Sequence, residues 1–277
     1  MYQYTIIQWL FFFYFYCFFG WCFESTYVSL KNRKLTNRGF MRGPFLPIYG
    51  SGAIMMLVVS GPFQDNIFFT YLAGCVGATV LEYVTGVVME ALFQVRYWDY
   101  SNQKFNFQGH ICLGSSLAWG LLTIVMTEFV HVPVERLVLS VPSQLLTVVT
   151  LALTVIIVAD FALSFKAAID LRNILAKMEQ GREELARIQK RLDVIIAVAG
   201  EELENRREAL SESVKEEIAE LKAKYKVMSE ARSHAERLTD IFQRGLIRSN
   251  PGMTSVKFRE SLEELKEKVT KKKGGDK

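Results

Sequence analysis

The sequence has few of the residues that build catalytic or redox sites. Its four cysteines, at 17, 22, 75 and 112, form no CxxC pair, which argues against a zinc site or a redox couple. Only three histidines are present. The HExxH, GxSxG and EF-hand patterns are absent, and the two glycines of 109–116 lack the lysine of a phosphate loop. The sequence therefore predicts no metal, no cofactor and no nucleotide hydrolysis by this chain alone.

Charge is also scarce in the first 165 residues, which hold 8 of the 33 basic and 8 of the 29 acidic side chains. The formal net charge of +4 therefore lies wholly in 166–277. This asymmetry indicates a membrane part followed by a soluble part. The mild, mixed charge does not favour a nucleic-acid partner. We expect a transmembrane domain over 1–165, a cytoplasmic helical, coiled-coil domain over 166–248, and a short amphipathic segment with a basic tail over 249–277.

Long apolar runs are abundant, and they predict five membrane spans at 4–30, 47–62, 67–94, 111–130 and 145–165. The second is short for a bilayer crossing. Five basic residues in 31–42, then Arg96 and Lys104, fall in alternate loops, and basic loops stay in the cytoplasm. This predicts an outer N-terminus and a cytoplasmic C-terminus. The first run lacks the basic start and cleavage site of a signal peptide, so we interpret it as a retained span.

The segment 37–50 interrupts the apolar pattern with three glycines and two prolines. Proline lacks the amide proton that a helix interior needs, and glycine permits backbone angles that other residues avoid. One interpretation is a re-entrant or broken-helix element at the mouth of a polar site, since irregular backbone at membrane depth must be buried in protein or line a wet cavity. The other is a well-ordered cytoplasmic turn.

Glu24, Glu82 and Glu90 lie inside the first and third predicted spans. A charge at the bilayer centre costs about 2.5–3.5 kcal/mol on insertion scales, so such residues usually face the bundle interior. Small and acidic residues recur every four positions along one face of the third span, at 74, 78, 82, 86 and 90. This face is expected to pack against the first span, with Arg38 and Arg42 as partners of the acids. Solvated positions near the span ends are the alternative for Glu24 and Glu90.

The loop 97–110 adds further polar side chains among aromatics. Its aromatics are typical of a membrane-interface belt, and a lone histidine is more often a local hydrogen-bonding residue than a catalyst. The same loop is also able to complete a polar cluster with Arg38. The predicted binding site consists of Glu24, Asn37, Arg38, Arg42, Glu82, Glu90, Asp99, Asn106 and His110.

The soluble part has the pattern of a long helix. Leu185, Ile188, Leu192, Ile195 and Ala199 follow the 3-4 spacing of a coiled-coil seam, and another apolar stripe begins at 210. The seam needs a partner, which is either a hairpin turning near 200–207 or a second copy of the chain. The fold class predicted is all-α: a polytopic membrane helix bundle with an irregular Gly/Pro loop, then a long coiled-coil-like cytoplasmic tail that favours a homo-oligomer.

Several long motifs resemble those of bacterial membrane proteins named Putative ABC-transporter type IV permeases, over roughly residues 5–165. The motifs are GWCFE at 20–24, the Gly/Pro segment 37–50, Glu82, Glu90, WDYS at 98–101 and the segment 106–113. The segment 244–251 also looks like the soluble tail of members. The resemblance implies a multi-pass protein of the bacterial inner membrane and a role in transport.

Three functions are compatible with these features. The leading hypothesis is a transporter permease, or the membrane component of a transport complex, with any ATPase supplied by a separate chain. The second is an intramembrane enzyme acting on a lipid-linked substrate, in which the same acids serve as general base and electrostatic partner. The third is a scaffold that recruits partners through its helical tail. Five spans are few for a complete pathway, so more copies or another partner are expected.

Overall fold

A computed structural model describes residues 2–206, 212–237 and 241–271. Across these residues the protein is all-α apart from one short hairpin, which confirms the predicted class. Its helices are α1 (Ile6–Asn32), α2 (Pro47–Ser60), α3 (Ile67–Phe93), α4 (Leu113–Val125), α5 (His131–Ser140), α6 (Ser143–Arg206), α7 (Glu212–Arg237), α8 (Ile241–Ser249) and α9 (Arg259–Lys271). A 3-10 turn (Gly61–Phe63) follows α2, a π-helical turn (Met126–Val130) joins α4 to α5, and the antiparallel strands β1 (Asn106–Phe107) and β2 (Ile111–Cys112) pair between α3 and α4.

Four helical segments are long and apolar enough to cross a membrane. They are Ile6–Asn32, Ile67–Phe93, Leu113–Ser140 and the apolar part of Ser143–Val198. The predicted second span is the shorter apolar helix Pro47–Phe63. The 14 residues of α2 reach about 21 Å at about 1.5 Å per residue, less than the hydrocarbon core of about 30 Å. The four long apolar helices indicate a multi-pass membrane protein. The count of five spans stays a prediction, because α2 is short.

The fourth span is longer than the sequence predicted. Helix continues past Val130 to Ser140, where an outer loop was expected. The helix changes from α to π geometry just before Pro133. Proline is the physical reason, because it has no amide proton to donate and its ring clashes with a carbonyl of the preceding turn. The π-helical turn accommodates this, and the amide of His131 donates to the carbonyl of Met126 five residues back.

The Gly/Pro segment forms an ordered loop and then the start of α2. Pro47 occupies the first turn of α2, where its missing amide proton costs nothing. Gly39 has φ +128°, a value that side chains rarely allow. The loop is held to its neighbours, since the Leu46 amide donates to the Cys17 carbonyl at 3.0 Å and the Gly43 amide donates to the Asp160 carboxylate at 2.8 Å.

Glycines allow close helix packing, but not between the pair of spans that the sequence predicted. A Cβ on Gly20 would lie 2.3 Å from the Cβ of Tyr49 on α2, and a Cβ on Gly74 would lie 2.1 Å from Oγ1 of Thr123 on α4. Helix α2 packs against both α1 and α3, and the small-residue face of α3 covers α4. The expectation that the first and third spans pack through these faces was therefore wrong.

One buried cluster connects the membrane helices with the C-terminal segment. Phe40 and Phe93 from the membrane part share it with Leu175 of α6 and with Leu262 and Leu265 of α9. The amphipathic segment predicted near the C-terminus is thus the helix α9, whose apolar side is buried. The basic tail at 272–277 lies outside the described residues.

The predicted seam lies on α6 and faces inward. Leu185 is buried, and Ile188, Leu192 and Ile195 are half-buried between exposed neighbours. Helix α7 of the same chain packs on α6, and Arg191 pairs with Glu217 at 2.6 Å. Helix α6 continues through 200 to 206, and the remainder of the predicted turn lies outside the described residues. Because α7 packs on α6, the seam does not require a second copy, and self-association stays a prediction.

Candidate functional site

The site begins where α1 approaches the Gly/Pro loop. Glu24 lies on α1, and its carboxylate is 3.4 Å from Nε of Arg38. The Tyr49 hydroxyl of α2 donates to the other carboxylate oxygen at 2.7 Å. Both charged side chains are about four-fifths removed from solvent. At this degree of burial water screens the attraction between the two charges less, and the loss of either partner becomes costly.

Arg38 also connects this pair to distant parts of the chain. Its guanidinium donates to Oδ1 of Asn250 at 3.2 Å and to the Tyr97 carbonyl at 3.4 Å. The Asn250 side-chain amide returns to the Gly39 carbonyl at 2.9 Å. The planar guanidinium fork allows one side chain to hold several partners at once. Arg38 therefore ties α1, the Gly/Pro loop, the loop after α3 and the C-terminal segment together.

A second ionic group forms at the end of α3. Glu90 contacts Nε of Arg96 at 2.9 Å and Nε2 of His110 at 3.1 Å. Arg96 also lies 3.7 Å from the Asp99 carboxylate. The backbone of Arg96 pairs with that of Thr254 through two hydrogen bonds of 2.7 and 2.9 Å. This group is thus attached to the C-terminal segment as well.

Asp99 is held in its ionised form by the loop around it. Partial burial opposes ionisation, but donation from the hydroxyl and amide of Ser101 and from the Thr254 hydroxyl, with the nearby Arg96 charge, keeps the pKa of the Asp99 carboxyl below its usual range. Among the residues described, Asp99 is the one acid of the site that itself lies outside the membrane helices, in the loop after α3.

We expect Asp99 to stabilise the protein above its unfolded pKa of about 3.9. A lowered pKa in the folded state means that this stability is present above that value and is lost as the pH falls through the folded pKa. Thermal unfolding of Asp99→Asn and of the parent between pH 7 and pH 3 should show a constant difference above about pH 5 that shrinks at lower pH. A difference that grows on acidification would contradict the assignment.

Glu82 occupies a separate, deeper position. It is 5% exposed and accepts from Tyr100 Oη at 3.0 Å, Ser115 Oγ at 3.2 Å and Trp119 Nε1 at 3.0 Å. Burial, and then the charge of Glu82, raise the pKa of the Tyr100 hydroxyl, which therefore stays a donor at neutral pH. The predicted pairing of Glu82 with Arg38 is not present, because Arg38 is used by Glu24.

The remaining predicted site residues hold loops. The Asn37 side chain accepts from Trp21 at 2.5 Å and donates to the carbonyl of Arg42 at 2.7 Å. Asn106 donates to two carbonyls of the loop before the β1–β2 hairpin and accepts from the Gly109 amide. The guanidinium of Arg42 points away from the acids and lies 3.8 Å from the centre of the Phe242 ring. The expectation that Arg42 pairs with the acids was therefore wrong.

The sequence prediction missed a second polar group near the other end of α1. His131 is 1% exposed, with Nδ1 at 2.7 Å from Tyr16 Oη and Nε2 at 2.9 Å from Tyr4 Oη. Tyr4 also donates to Glu135 at 2.5 Å. Tyr4 precedes Glu24 by 20 positions, or roughly 30 Å of helix. The signal for it was the four-residue spacing of His131 and Glu135 on one helix face.

Within the described residues, no group of three or more His, Cys, Asp or Glu side chains is placed to hold a metal ion. The nearest arrangement combines Glu90 and His110 with a guanidinium, and Arg96 already neutralises the Glu90 carboxylate. These side chains supply charge, hydrogen bonding and proton acceptance by carboxylates.

Four helical segments long and apolar enough to cross a bilayer define a multi-pass membrane protein. The model of the family described as Putative ABC-transporter type IV matches residues 11–165, which is more than half of the chain, and the chain belongs to this family. No match was found among curated proteins or among solved structures.

Proposed function

We propose that this chain is the permease-type membrane component of a transport complex in the bacterial inner membrane, and that the polar site takes part in transport. The observation that carries the proposal is Glu82, a carboxylate buried inside an apolar helix bundle with three donors aimed at it. Such groups are costly in a membrane and mark ion or substrate pathways. Family membership supports the same role.

The C-terminal segment is suited to couple motions of the cytoplasmic helices to the two ionic groups of the polar site. Asn250 bonds to Arg38, and Thr254 bonds to the backbone of Arg96 and the carboxylate of Asp99. A displacement of the segment thus acts on both ionic groups at once. We propose that a separate ATPase subunit docks on the cytoplasmic helices and uses this connection.

Purification of the full-length chain from crosslinked native membranes tests the proposal. We expect a P-loop ATPase to co-purify, and its ATP hydrolysis in reconstituted vesicles to be stimulated by the parent chain. Glu82→Gln should bind the ATPase equally and fail to stimulate it. Glu128→Gln, which changes an exposed acid of the next span, is the matched control. Equal stimulation by the parent and Glu82→Gln would exclude Glu82 from the mechanism.

The proposed topology has an outer N-terminus and a cytoplasmic C-terminus, because the basic loops 31–42 and 96–104 lie on one side. Single cysteines introduced into a variant without native cysteines should react with an impermeant reagent from outside at 61–66 and remain unlabelled at 97–106. The reverse pattern in intact cells would overturn the topology. Labelling after permeabilisation controls for reactivity at both positions.

A further inference from the structure

A cavity of about 330 Å³ lies beside the polar site, between the Gly/Pro loop, α6 and α8. Residues 34–37 and 39–42 form one wall, Ser164 and Ala167 of α6 the second, and residues of α8 between Phe242 and Ser249 the third. None of the acids of the polar site lines this cavity. We therefore consider a ligand for it that is different from the transported species.

The charge around the cavity has one sign. Lys34, Arg42 and Arg248 line it, and the described lining contains no carboxylate. Asp160 lies close to this wall, and its Oδ2 accepts from the Gly43 amide at 2.8 Å. The ring of Phe242 holds the Arg42 guanidinium at 3.8 Å by a cation–π contact. Arg248 uses one donor on the Val269 carbonyl at 3.5 Å, which leaves most of its five donors available.

A buried hydroxyl on the wall lacks a partner. Ser164 is 1% exposed, and its Oγ makes no hydrogen bond within the described residues. Helical serines commonly donate back to the carbonyl four residues earlier, as Ser60 does here at 2.6 Å. The Oγ atom is closed off from the cavity, so recognition of a ligand there falls to the three cations, whose charge suits a phosphoryl group.

We propose that the cavity binds the phosphate headgroup of an anionic membrane lipid. Ser164 lies 21 residues into α6, about 30 Å from its start at about 1.5 Å per residue, which places the cavity at the membrane boundary. Leu35 on its rim is 95% exposed, and Phe242, which also lines the cavity, is 38% exposed. Apolar surface beside a phosphate site suits the acyl part of a lipid, and basic residues at the cytoplasmic leaflet attract anionic lipids.

Binding of fluorescent phosphatidylglycerol to the full-length chain in neutral detergent tests this site. Arg42→Gln/Arg248→Gln is expected to bind at least about tenfold more weakly, the loss typical of a charge-assisted contact. Lys166→Gln removes an exposed charge beside the site without touching its lining and should stay within about twofold. Fluorescent phosphatidylcholine should bind the parent more weakly, because its choline cation adds repulsion. Equal affinity of the double variant and the parent, or of the two lipids, would overturn the proposal.

A second variant blocks the cavity without changing charge. A Cβ on Gly245 meets no atom within 4 Å, so Gly245→Leu has room to extend from the cavity wall and should abolish lipid binding with no loss of thermal stability. Gly52→Leu, at an equally open helical position away from the cavity, should bind like the parent. Undiminished binding by Gly245→Leu would overturn the proposal. Displacement of the lipid probe by millimolar inorganic phosphate would instead assign the site to free phosphate and overturn its lipid part.

Discussion

Glu82→Leu is expected to lower the free energy of unfolding by about 3 kcal/mol or more. The substitution removes the shared acceptor of Tyr100, Ser115 and Trp119. A buried donor left without a partner costs about 1–3 kcal/mol, and the Trp119 Nε1–H cannot reverse its role because indole only donates. Glu82→Gln keeps one carbonyl oxygen, and the two hydroxyls can accept from its amide, so its cost should be about 1–2 kcal/mol.

The expected order of stability is the parent, then Glu82→Gln, then Glu82→Leu. It is measured by thermal and denaturant unfolding in detergent, with tryptophan fluorescence as the signal. The control is Glu128→Leu, which introduces leucine in place of an exposed acid of the next span. It should change the free energy of unfolding by less than about 0.5 kcal/mol. If Glu82→Leu is as stable as the parent, Glu82 makes no net contribution and the three hydrogen bonds do not hold the site. The test is independent of transport, so it remains valid whatever the transported species is.

Arg38→Gln is expected to cost about 2–3 kcal/mol and to release the C-terminal segment from the membrane helices. Loss of one partner from a buried ion pair usually costs about 3–5 kcal/mol, and we reduce that figure because roughly a fifth of each side chain meets solvent. Among the described residues, Glu24 would keep only its bond from Tyr49, and Asn250 would lose its bond from the guanidinium. Arg38→Lys keeps the charge and should recover only part of the loss, because an ammonium cannot reproduce the planar fork.

Hydrogen exchange read by mass spectrometry is the decisive measurement for Arg38. Amides of 250–258 should exchange faster in Arg38→Gln, while those of α4 keep their rate. Arg136→Gln, an exposed arginine at the far end of the fourth span, is the control and should leave both regions unchanged. Unchanged exchange at 250–258 would mean that the buried cluster with Leu262 and Leu265 alone holds the segment.

The double variant Glu24→Gln/Arg38→Gln then isolates the ion pair. If Arg38→Gln is destabilising mainly because it strands the Glu24 carboxylate, neutralising Glu24 as well should recover part of the loss. Strictly additive costs would instead show that the two charges do not interact. The single variants Glu24→Gln and Arg38→Gln provide the reference values for this double-mutant cycle.

Features that depend on local composition could be predicted from the sequence alone. Long apolar runs identify the membrane helices because burial of backbone polar groups in lipid permits little else, and the period of the apolar residues identified the buried side of α6. The resemblance identified a family that the comparison confirmed. Acids inside apolar runs usually face the bundle interior, and this rule identified Glu82 as buried.

The partners of these residues depended on tertiary structure. Each contact joins residues far apart in the chain, such as Arg38 with Asn250 or Tyr16 with His131, and spacing on one helix contains no information about the helix opposite. The sequence placed Arg38 beside Glu82, whereas α2 packs against α1 and brings Arg38 to Glu24. The order in which helices pack is decided by fitting whole side-chain surfaces together, and that fit alone determined which charges meet in this protein.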